Sequence, residues 1–156
     1  MGQETVFIEN NIFRNEWRCN GLLHRLDGPA VEYSTGQKEW WLHGQIHRIG
    51  GPAVEYQNGN KFWYRNGFIH REDGPAVEYA DGRKEWRING RCHRIDGPAV
   101  IFPNGHEEYV VNGKLHRTDG PAVVFQNGEK HWYLNGKFQR KLPRIYSNVN
   151  WLQEGF

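Results

Sequence analysis

The feature that most constrains this 156-residue chain is a repeat of 23 residues. Each copy contains a His-Arg pair, a Gly-Pro-Ala-Val block and an aromatic residue that is almost always tryptophan. Five copies run from position 17 to position 131 without an insertion or deletion, and a sixth begins at Trp132. The recurring residues are His24, His47, His70, His93 and His116; Arg25, Arg48, Arg71, Arg94 and Arg117; and Trp17, Trp40, Trp63, Trp86, Tyr109 and Trp132. Such regularity indicates one structural unit per copy.

Each copy is predicted to form two hairpins. The segment "PAVEY" at 75–79 alternates as a half-buried strand does, and the Asp81-Gly82 pair after it is typical of a two-residue type I′ turn. We call this turn the first turn of the repeat, and the turn at Asn89-Gly90 the second turn. First turns lie at Thr35-Gly36, Asn58-Gly59, Asp81-Gly82, Asn104-Gly105 and Asn127-Gly128; second turns lie at Asn20-Gly21, His43-Gly44, Asn66-Gly67, Asn89-Gly90, Asn112-Gly113 and Asn135-Gly136.

These hairpins predict an all-β protein, a single elongated antiparallel meander sheet of stacked β-hairpin repeats. The whole chain, 1–156, is predicted to be one domain, in which 17–136 are repeats and the segments 1–16 and 137–156 are irregular caps over the sheet edges. A two-residue first turn predicts that Tyr79 lies opposite Lys84 and that Val77 lies opposite Trp86. One face then carries Val77, Tyr79, Lys84 and Trp86, and the other carries Ala76, Glu78, Glu85 and Arg87.

The second turn leaves two alternatives. If it is also a strict two-residue turn, His93 joins the face of Trp86 and Cys92 turns to the opposite face. A bulge or a wider turn changes that assignment.

Three segments, "NGFIH" at 66–70, "NGRCH" at 89–93 and "NGKLH" at 112–116, resemble the MORN repeat in sequence and period. In MORN repeats a glycine usually follows the histidine, whereas here arginine follows in every copy. The variant is similar to uncharacterised repeat proteins common in bacteriophage genomes. The resemblance implies a non-enzymatic binding role as a scaffold, a dimerisation module or a lipid-binding module, with lipid binding put in doubt by the altered motif.

Composition excludes several classes of protein. The net charge is +2, from 20 basic and 18 acidic residues, so charge does not predict binding to duplex nucleic acid. No apolar run is long enough to span a membrane, and the first residues lack the pattern of a secretion signal. The only two cysteines, Cys19 and Cys92, form no disulfide or zinc motif, which predicts a reducing, cytoplasmic location.

The recurring His-Arg-x-Asp motif could be a site or a structural corner. Equivalent histidines of successive copies should lie about 10 Å apart, too far to share a metal ion. No serine or cysteine nucleophile recurs with the motif, and the second copy has Gly50 in place of aspartate. We therefore predict no catalytic residue, no metal and no cofactor. A structural role is predicted for the five histidines, for Trp17, Trp40, Trp63, Trp86 and Trp132, and for Asp27, Asp73, Asp96 and Asp119.

Positions that vary between copies are better candidates for binding. The face predicted to lie away from the tryptophans carries Glu32, Glu39, Trp41, Glu55, Phe62, Tyr64, Glu78, Glu85, Arg87, Ile101, Glu108, Val110, Val124, His131 and Tyr133. Exposed aromatics on a sheet are typical of a contact surface, although the terminal segments or a second copy of the chain could cover this face. The second candidate is a basic row of Arg25, Arg48, Arg71, Arg94 and Arg117 with Arg65, Arg87 and Lys114, which is suited to phosphate.

The resulting functional prediction is a non-enzymatic scaffold that engages a protein partner and that could form a homodimer. The resemblance to bacteriophage proteins suggests that the partner is a host protein, for example of a defence system. The alternative is a sponge that sequesters a small phosphorylated signalling nucleotide without cleaving it, and a hydrolase comes third. The predicted binding residues are Trp41, Phe62, Tyr64, Arg87, His131 and Tyr133 with Arg48, Arg71, Arg94 and Arg117.

Overall fold

The structure is a computed structural model that describes residues 3–9 and 12–139. Within these ranges the chain forms β-strands and turns and contains no helix. The predicted all-β class and the meander of stacked hairpins are therefore confirmed. Most of the predicted C-terminal cap, residues 140–156, lies outside the described residues, and so do positions 1, 2, 10 and 11.

The strands are short because two turns and the corner at the His-Arg-x-Asp motif interrupt each repeat of 23 residues. In chain order they are β1 Gln3–Glu9, β2 Ile12–Cys19, β3 Leu22–Leu23, β4 Val31–Tyr33, β5 Lys38–Glu39, β6 Trp41–Leu42, β7 Gln45–Ile46, β8 Val54–Glu55, β9 Lys61–Phe62, β10 Tyr64–Arg65, β11 Phe68–Ile69, β12 Val77–Glu78, β13 Lys84–Glu85, β14 Arg87–Ile88, β15 Arg91–Cys92, β16 Val100–Ile101, β17 Glu107–Glu108, β18 Val110–Val111, β19 Lys114–Leu115, β20 Val123–Val124, β21 Lys130–Leu134 and β22 Lys137–Gln139.

A large sheet contains the first hairpin of every repeat. Its antiparallel path is β1-β2-β4-β5-β8-β9-β12-β13-β16-β17-β20-β21-β22, and β3 pairs with β2 beside this path. Strand β1 pairs with β2 from Gln3↔Arg18 to Glu9↔Ile12. The first residues therefore extend the sheet by one strand, and β1 and β22 are the two ends of the path.

A second row of hairpins follows the tryptophan of each repeat. The pairs β6–β7, β10–β11, β14–β15 and β18–β19 form separate two-stranded sheets. Neighbouring hairpins of this row are joined by isolated backbone hydrogen bonds. Between β6–β7 and β10–β11, the Gly67 N–H donates to the Ile46 carbonyl at 2.9 Å, and the Arg48 N–H donates to the Tyr64 carbonyl at 3.3 Å. In the middle repeats the strand is interrupted at the aromatic residue, which therefore separates the two hairpins.

The first turn differs from the prediction by one residue. The Tyr79 N–H donates to the Arg83 carbonyl at 2.9 Å, so three residues form the loop, and only Gly82 of these has a positive φ, 94°. This is the geometry of a type I turn followed by a left-handed glycine, rather than type I′. The Asp81 carboxylate accepts the Arg83 backbone N–H at 2.9 Å, and asparagine does the same at 58, 104 and 127.

The extra loop residue changes which side chains share a face. Val77 lies opposite Glu85, and Glu78 lies opposite Lys84. The predicted pairing of Val77 with Trp86 and of Tyr79 with Lys84 is therefore wrong, because a shift of one residue moves one strand's side chains to the other face. Trp86 comes directly after Glu85 in the chain and therefore points to the opposite side, the face of Ala76 and Glu78.

The second turn is the strict two-residue alternative. Asn89 and Gly90 have φ values of 48° and 79°, as type I′ requires, and Arg87 pairs with Cys92. His93 therefore lies opposite Trp86, and Cys92 turns to the other face. In the second copy His43 takes the asparagine position with a φ of 48°.

Two faces result, which we name by their aromatic residues. The tryptophan face carries Trp17, Trp40, Trp63, Trp86 and Tyr109, and the tyrosine face carries the row Tyr33, Tyr56, Tyr79, Phe102 and Phe125. The core lies in two adjacent rows between these aromatics. Ala30, Ala53, Ala76, Ala99 and Ala122 belong to the tryptophan face and are 0% exposed, and Val31, Val54, Val77, Val100 and Val123 belong to the tyrosine face and are at most 5% exposed.

The first-turn geometry predicts a specific cost at Gly82. Its φ of 94° disfavours any side chain, whereas the nearest atom to an added Cβ is Pro103 Cβ at an ordinary 3.7 Å. Gly82→Ala should lower the free energy of unfolding by about 1–2 kcal/mol, measured by urea denaturation. Gly82→Asn is the matched control and should cost less, because asparagine tolerates the left-handed region. Equal losses for the two variants would contradict the assignment.

Candidate functional site

On the tryptophan face, an arginine guanidinium lies over each aromatic ring. The distance from Cζ to the ring centroid is 4.1 Å for Arg25 on Trp17, 3.8 Å for Arg48 on Trp40, 4.3 Å for Arg71 on Trp63, 4.2 Å for Arg94 on Trp86 and 3.9 Å for Arg117 on Tyr109. These are cation–π distances. The arginine of the motif is therefore held by packing within its own repeat.

The glycine after the motif leaves room for this packing. A Cβ added at Gly74 would lie 2.9 Å from the Arg71 Cζ, closer than real Cβ contacts allow. The equivalent distances at Gly28, Gly51, Gly97 and Gly120 are 2.9 to 3.0 Å. None of these five glycines has a positive φ, so the absence of a side chain, rather than backbone freedom, explains glycine here.

Hydrogen bonds hold the guanidinium at the corner. Arg71 donates from Nε to Asp73 Oδ1 at 2.8 Å and from Nη1 to the Pro75 carbonyl at 3.2 Å, and Nη1 lies 3.4 Å from Glu78 Oε1. The bond from Arg71, and then its charge, lowers the pKa of Asp73 below its ordinary value. The arginines of the same repeat likewise lower the pKa values of Asp27 and Asp96.

In the second copy the guanidinium is held at the corner without an aspartate. Gly50 adopts a φ of 78°, and Arg48 Nη1 donates to Glu55 at 3.0 Å and to the Pro52 carbonyl at 2.9 Å. The fourth and fifth copies have Ile101 and Val124 at the position of this glutamate. Their arginines therefore have no carboxylate partner on the following strand.

The histidine of each motif joins its repeat to the next. Its Nδ1 accepts the backbone N–H of the residue at the second turn, at 3.0 to 3.3 Å; the donors are His43 for His24, Asn66 for His47, Asn89 for His70, Asn112 for His93 and Asn135 for His116. In the second, third and fourth copies the same Nδ1 also lies 2.8 to 2.9 Å from the side-chain oxygen of that asparagine. Among the described residues no group of three or more His, Cys, Asp and Glu side chains could hold a metal ion.

The tyrosine face presents a row of aromatic rings separated by single intervening groups. Phe62 lies 5.6 Å from Tyr56 and 5.9 Å from Tyr79, measured between ring centroids. The Arg83 Cζ lies 5.1 Å from the Tyr79 centroid and 4.7 Å from that of Phe102. The row continues through Phe102, His106, Phe125, His131 and Phe138, in which neighbouring rings are 4.8 to 5.5 Å apart.

Two buried carboxylates of this face are paired with arginine. Glu85 is only 2% exposed and lies between Arg83 and Arg87, whose Nε donates to it at 2.7 Å. Glu16, also 2% exposed, pairs with Arg18 at 2.7 Å in the same arrangement. Burial, followed by the charge of Glu85, raises the pKa of Tyr79 above its ordinary value.

The predicted binding residues divide between the two faces. The structure places Trp41, Phe62, Tyr64, Arg87, His131 and Tyr133 on the tyrosine face, with Glu39, Glu85, Glu108 and Val110. It places Arg48, Arg71, Arg94 and Arg117 on the tryptophan face, over the rings. Glu32, Glu55, Glu78, Ile101 and Val124 were predicted to lie away from the tryptophans and instead lie on their side, because of the one-residue shift at the first turn.

The sequence-based prediction missed the row Tyr33, Tyr56, Tyr79, Phe102 and Phe125 as a surface of its own. The signal was available, because an aromatic residue precedes the first turn in every copy. It was assigned to the tryptophan face by the two-residue turn. With the three-residue turn the row becomes the rim of the opposite face.

Open grooves occur on both faces. On the tyrosine face, a groove of about 710 Å³ between the fourth and fifth repeats is lined by Phe102, Asn104, His106, Phe125, Gln126 and Asn127. On the tryptophan face, grooves of about 310, 430 and 490 Å³ lie between successive corners, and each is lined by the arginines of two neighbouring repeats. These volumes are within the range of small-ligand sites.

The fold and these contacts define the class of the protein as an all-β hairpin-repeat protein with two chemically different faces. A scan against protein-family models gives no match, and a search of curated proteins finds no similar sequence. The relation to MORN repeats and to bacteriophage proteins therefore stays a prediction. Within the described part of the chain, no helix is long and apolar enough to cross a membrane.

The packing of arginine on glycine predicts energetic coupling. Gly74→Ala should destabilise the protein by about 1–3 kcal/mol, because its methyl group displaces the Arg71 guanidinium from Trp63. Once Arg71→Ala has removed that guanidinium, Gly74→Ala should cost at least about 1 kcal/mol less. Urea denaturation of both single variants and the double variant measures this. The control pair, Gly74→Ala with Arg94→Ala, should be additive, and equal coupling in both pairs would contradict the account.

The aspartates predict a loss of stability in acid. Their folded-state pKa values are lowered, so their contribution is complete above the ordinary value of 3.8 and is lost as pH falls below it. A variant with Asn at 27, 73 and 96 should therefore lose less melting temperature than the wild type when the pH is lowered from 5. The melting temperatures are measured in buffers spaced by about one pH unit. As a control, high salt should reduce the wild-type fall more than that of the variant. Parallel curves for the two proteins would refute the role of these carboxylates.

Proposed function

We propose that the protein is a non-enzymatic scaffold that binds a protein partner through its tyrosine face. The observation that carries this proposal is the row of five aromatic residues that continues across five repeats, in which Phe62, Arg83 and His106 lie between successive rings from Tyr56 to Phe125. Tyrosine, phenylalanine and arginine are enriched where protein surfaces bind one another. A repeated sheet presents such groups over a long, even surface, which is how solenoid proteins bind extended partners.

The exposure of the row supports binding. Tyr56 is 39% exposed, and the other four rings are half-buried, so each has one edge packed in the sheet and another edge in solvent. Rings held on one side lose little freedom when a partner covers the other side. Of the predicted residues, Phe62 lies between Tyr56 and Tyr79 and His131 lies beside Phe125, so both add to the same surface.

The contacts of the His-Arg-x-Asp motif favour a scaffold over an enzyme. The arginine, the aspartate and the histidine Nδ1 are each engaged in packing or in hydrogen bonds within or between repeats. Burial raises the pKa of Cys92, so this thiol is not poised as a nucleophile. Five nearly equivalent corners also differ from the single cleft that catalysis usually uses.

The second candidate function is sequestration of a small phosphorylated nucleotide. It is favoured by the three successive grooves on the tryptophan face, because each combines two guanidinium groups with an aromatic ring. The groove of about 490 Å³ is the best suited of these, since Arg94 and Arg117 have Ile101 and Val124 where other copies have a neutralising glutamate. Arginine beside an aromatic ring matches a phosphate joined to a base.

The finer identity of the partner rests on the resemblance to bacteriophage repeat proteins. It suggests a host protein, for example a component of a defence system, met in the cytoplasm. The free state of Cys19 and Cys92 fits a reducing compartment. A homodimer that presents two tyrosine faces would serve the same scaffold role.

The proposal predicts that partner affinity depends on the tyrosine face. A protein captured from a lysate of the native host should be purified and its dissociation constant measured against variants. Tyr56→Ala and Phe102→Ala should weaken binding roughly tenfold or more, because they remove central rings. Tyr56→Phe and Lys61→Ala are the controls, since the first keeps the ring and the second lies on the tryptophan face; both should bind normally.

Two further measurements separate the alternatives. A nucleotide that raises the melting temperature, is recovered intact and loses its effect in Arg94→Ala would favour sequestration over the scaffold. Turnover of a nucleotide that His70→Ala abolishes would overturn the non-enzymatic assignment. Unchanged partner affinity in both ring variants would remove the tyrosine face as the binding surface.

A further inference from the structure

The rings of the tyrosine face have a spacing that selects one kind of partner backbone. Equivalent residues of successive repeats are two strands apart, which is about 9.5 Å. The contacts agree with this, because Arg83 and His106 each lie about midway between two rings, with 5.1 and 4.7 Å for Arg83 and 4.8 and 5.0 Å for His106. Tyr79, Phe102 and Phe125 therefore form three regularly spaced ridges that run across the strands.

A polyproline II helix has nearly the same period. It rises about 3.1 Å per residue with three residues per turn, so every third residue returns to one side after about 9.3 Å. An α-helix returns to one side after seven residues and about 10.5 Å, so across three ridges it falls roughly 2 Å out of step, against roughly 0.4 Å for polyproline II. An extended strand repeats each face after about 6.7 Å and does not match at all.

The groups between the ridges suit this backbone. Polyproline II has no internal hydrogen bonds, so its carbonyl groups need external donors. In the groove between Phe102 and Phe125, the side-chain oxygens of Asn104 and Asn127 accept the N–H groups of His106 and Glu129 at 3.0 and 2.9 Å. Their amide NH₂ groups are therefore the ends left to donate to a ligand.

A negative charge at the end of the aromatic row favours a basic residue in the partner segment that binds there. Glu129 follows the fifth ridge and is 56% exposed at its side chain, while its carboxylate contacts only His131 among the described residues, at 2.7 Å. A lysine or arginine beside the proline segment would lie against this carboxylate. By contrast, Glu85, which is nearer the middle of the face, is already buried between Arg83 and Arg87.

The geometry points to a proline-rich segment with a flanking basic residue, bound in the polyproline II conformation across Tyr79, Phe102 and Phe125. This inference rests on the proposed partner-binding function and specifies the chemistry of the partner. Prolines fill the spaces between ridges, the amides of Asn104 and Asn127 donate to carbonyl groups, and Glu129 pairs with the basic residue. The preformed helix loses little entropy on binding.

The test uses the full-length chain and a fluorescent peptide of three polyproline turns, about nine prolines, followed by one arginine. Fluorescence anisotropy should show saturable binding with a dissociation constant below about 1 mM. A Gly-Ser peptide of equal length with the same arginine is the matched ligand control and should bind roughly tenfold more weakly or not at all. Equal binding of the two peptides, or no saturable binding, would overturn the inference.

Variants locate the site. Phe102→Leu keeps an apolar side chain and should still weaken binding several-fold, whereas Lys84→Ala on the tryptophan face should have no effect. Glu129→Gln should weaken the arginine peptide and leave an all-proline peptide unchanged. Preferential binding of an amphipathic helical peptide or of a nucleotide would refute the inference. If the host partner still depends on Phe102 while the proline peptide fails to bind, only this inference falls and the proposed function stands.

Discussion

The distribution of side chains between the two faces depends on one backbone constraint, the left-handed glycine of the first turn. Because Gly82 takes this conformation after a type I turn, three residues form the loop, and Val77 lies opposite Glu85. The carboxylate of Asp81 supports the turn by accepting the Arg83 N–H. The same choice in every repeat sends all the tryptophans to one face and the tyrosines and phenylalanines before the turn to the other.

Arginine then connects the two hairpins of each repeat. Its guanidinium lies on the ring, its Nη1 bonds the proline carbonyl, and glycine leaves the space that it occupies. Histidine performs the corresponding task between repeats, by accepting an N–H from the next second turn. A motif that resembles catalytic chemistry is thus engaged in the internal contacts of a stack, while the opposite face keeps aromatic edges in solvent. The proposed binding role rests on this division.

Much of the architecture could be predicted because it is local and periodic. The 23-residue period, the two hairpins and the all-β class follow from turn residues and alternation, which act within a few positions. The sequence left two alternatives for the second turn, a strict two-residue turn and a bulged or wider one. The pairing of Arg87 with Cys92 in the structure decided for the first. The candidate surface was predicted less well: Phe62 and Tyr64 were placed on the correct side, whereas Glu78 was not and the Tyr79 row was overlooked.

By itself, the sequence determined that this chain is a stack of equal hairpins and which residue types each hairpin contains, since glycine, asparagine and β-branched residues act through local backbone preference. Only the tertiary structure decided the face of each side chain, because Asp-Gly is compatible with turns of two or three residues and one residue reverses a strand. It also decided why glycine follows the motif, since the guanidinium that needs the space is brought there by a ring eight residues earlier in the chain.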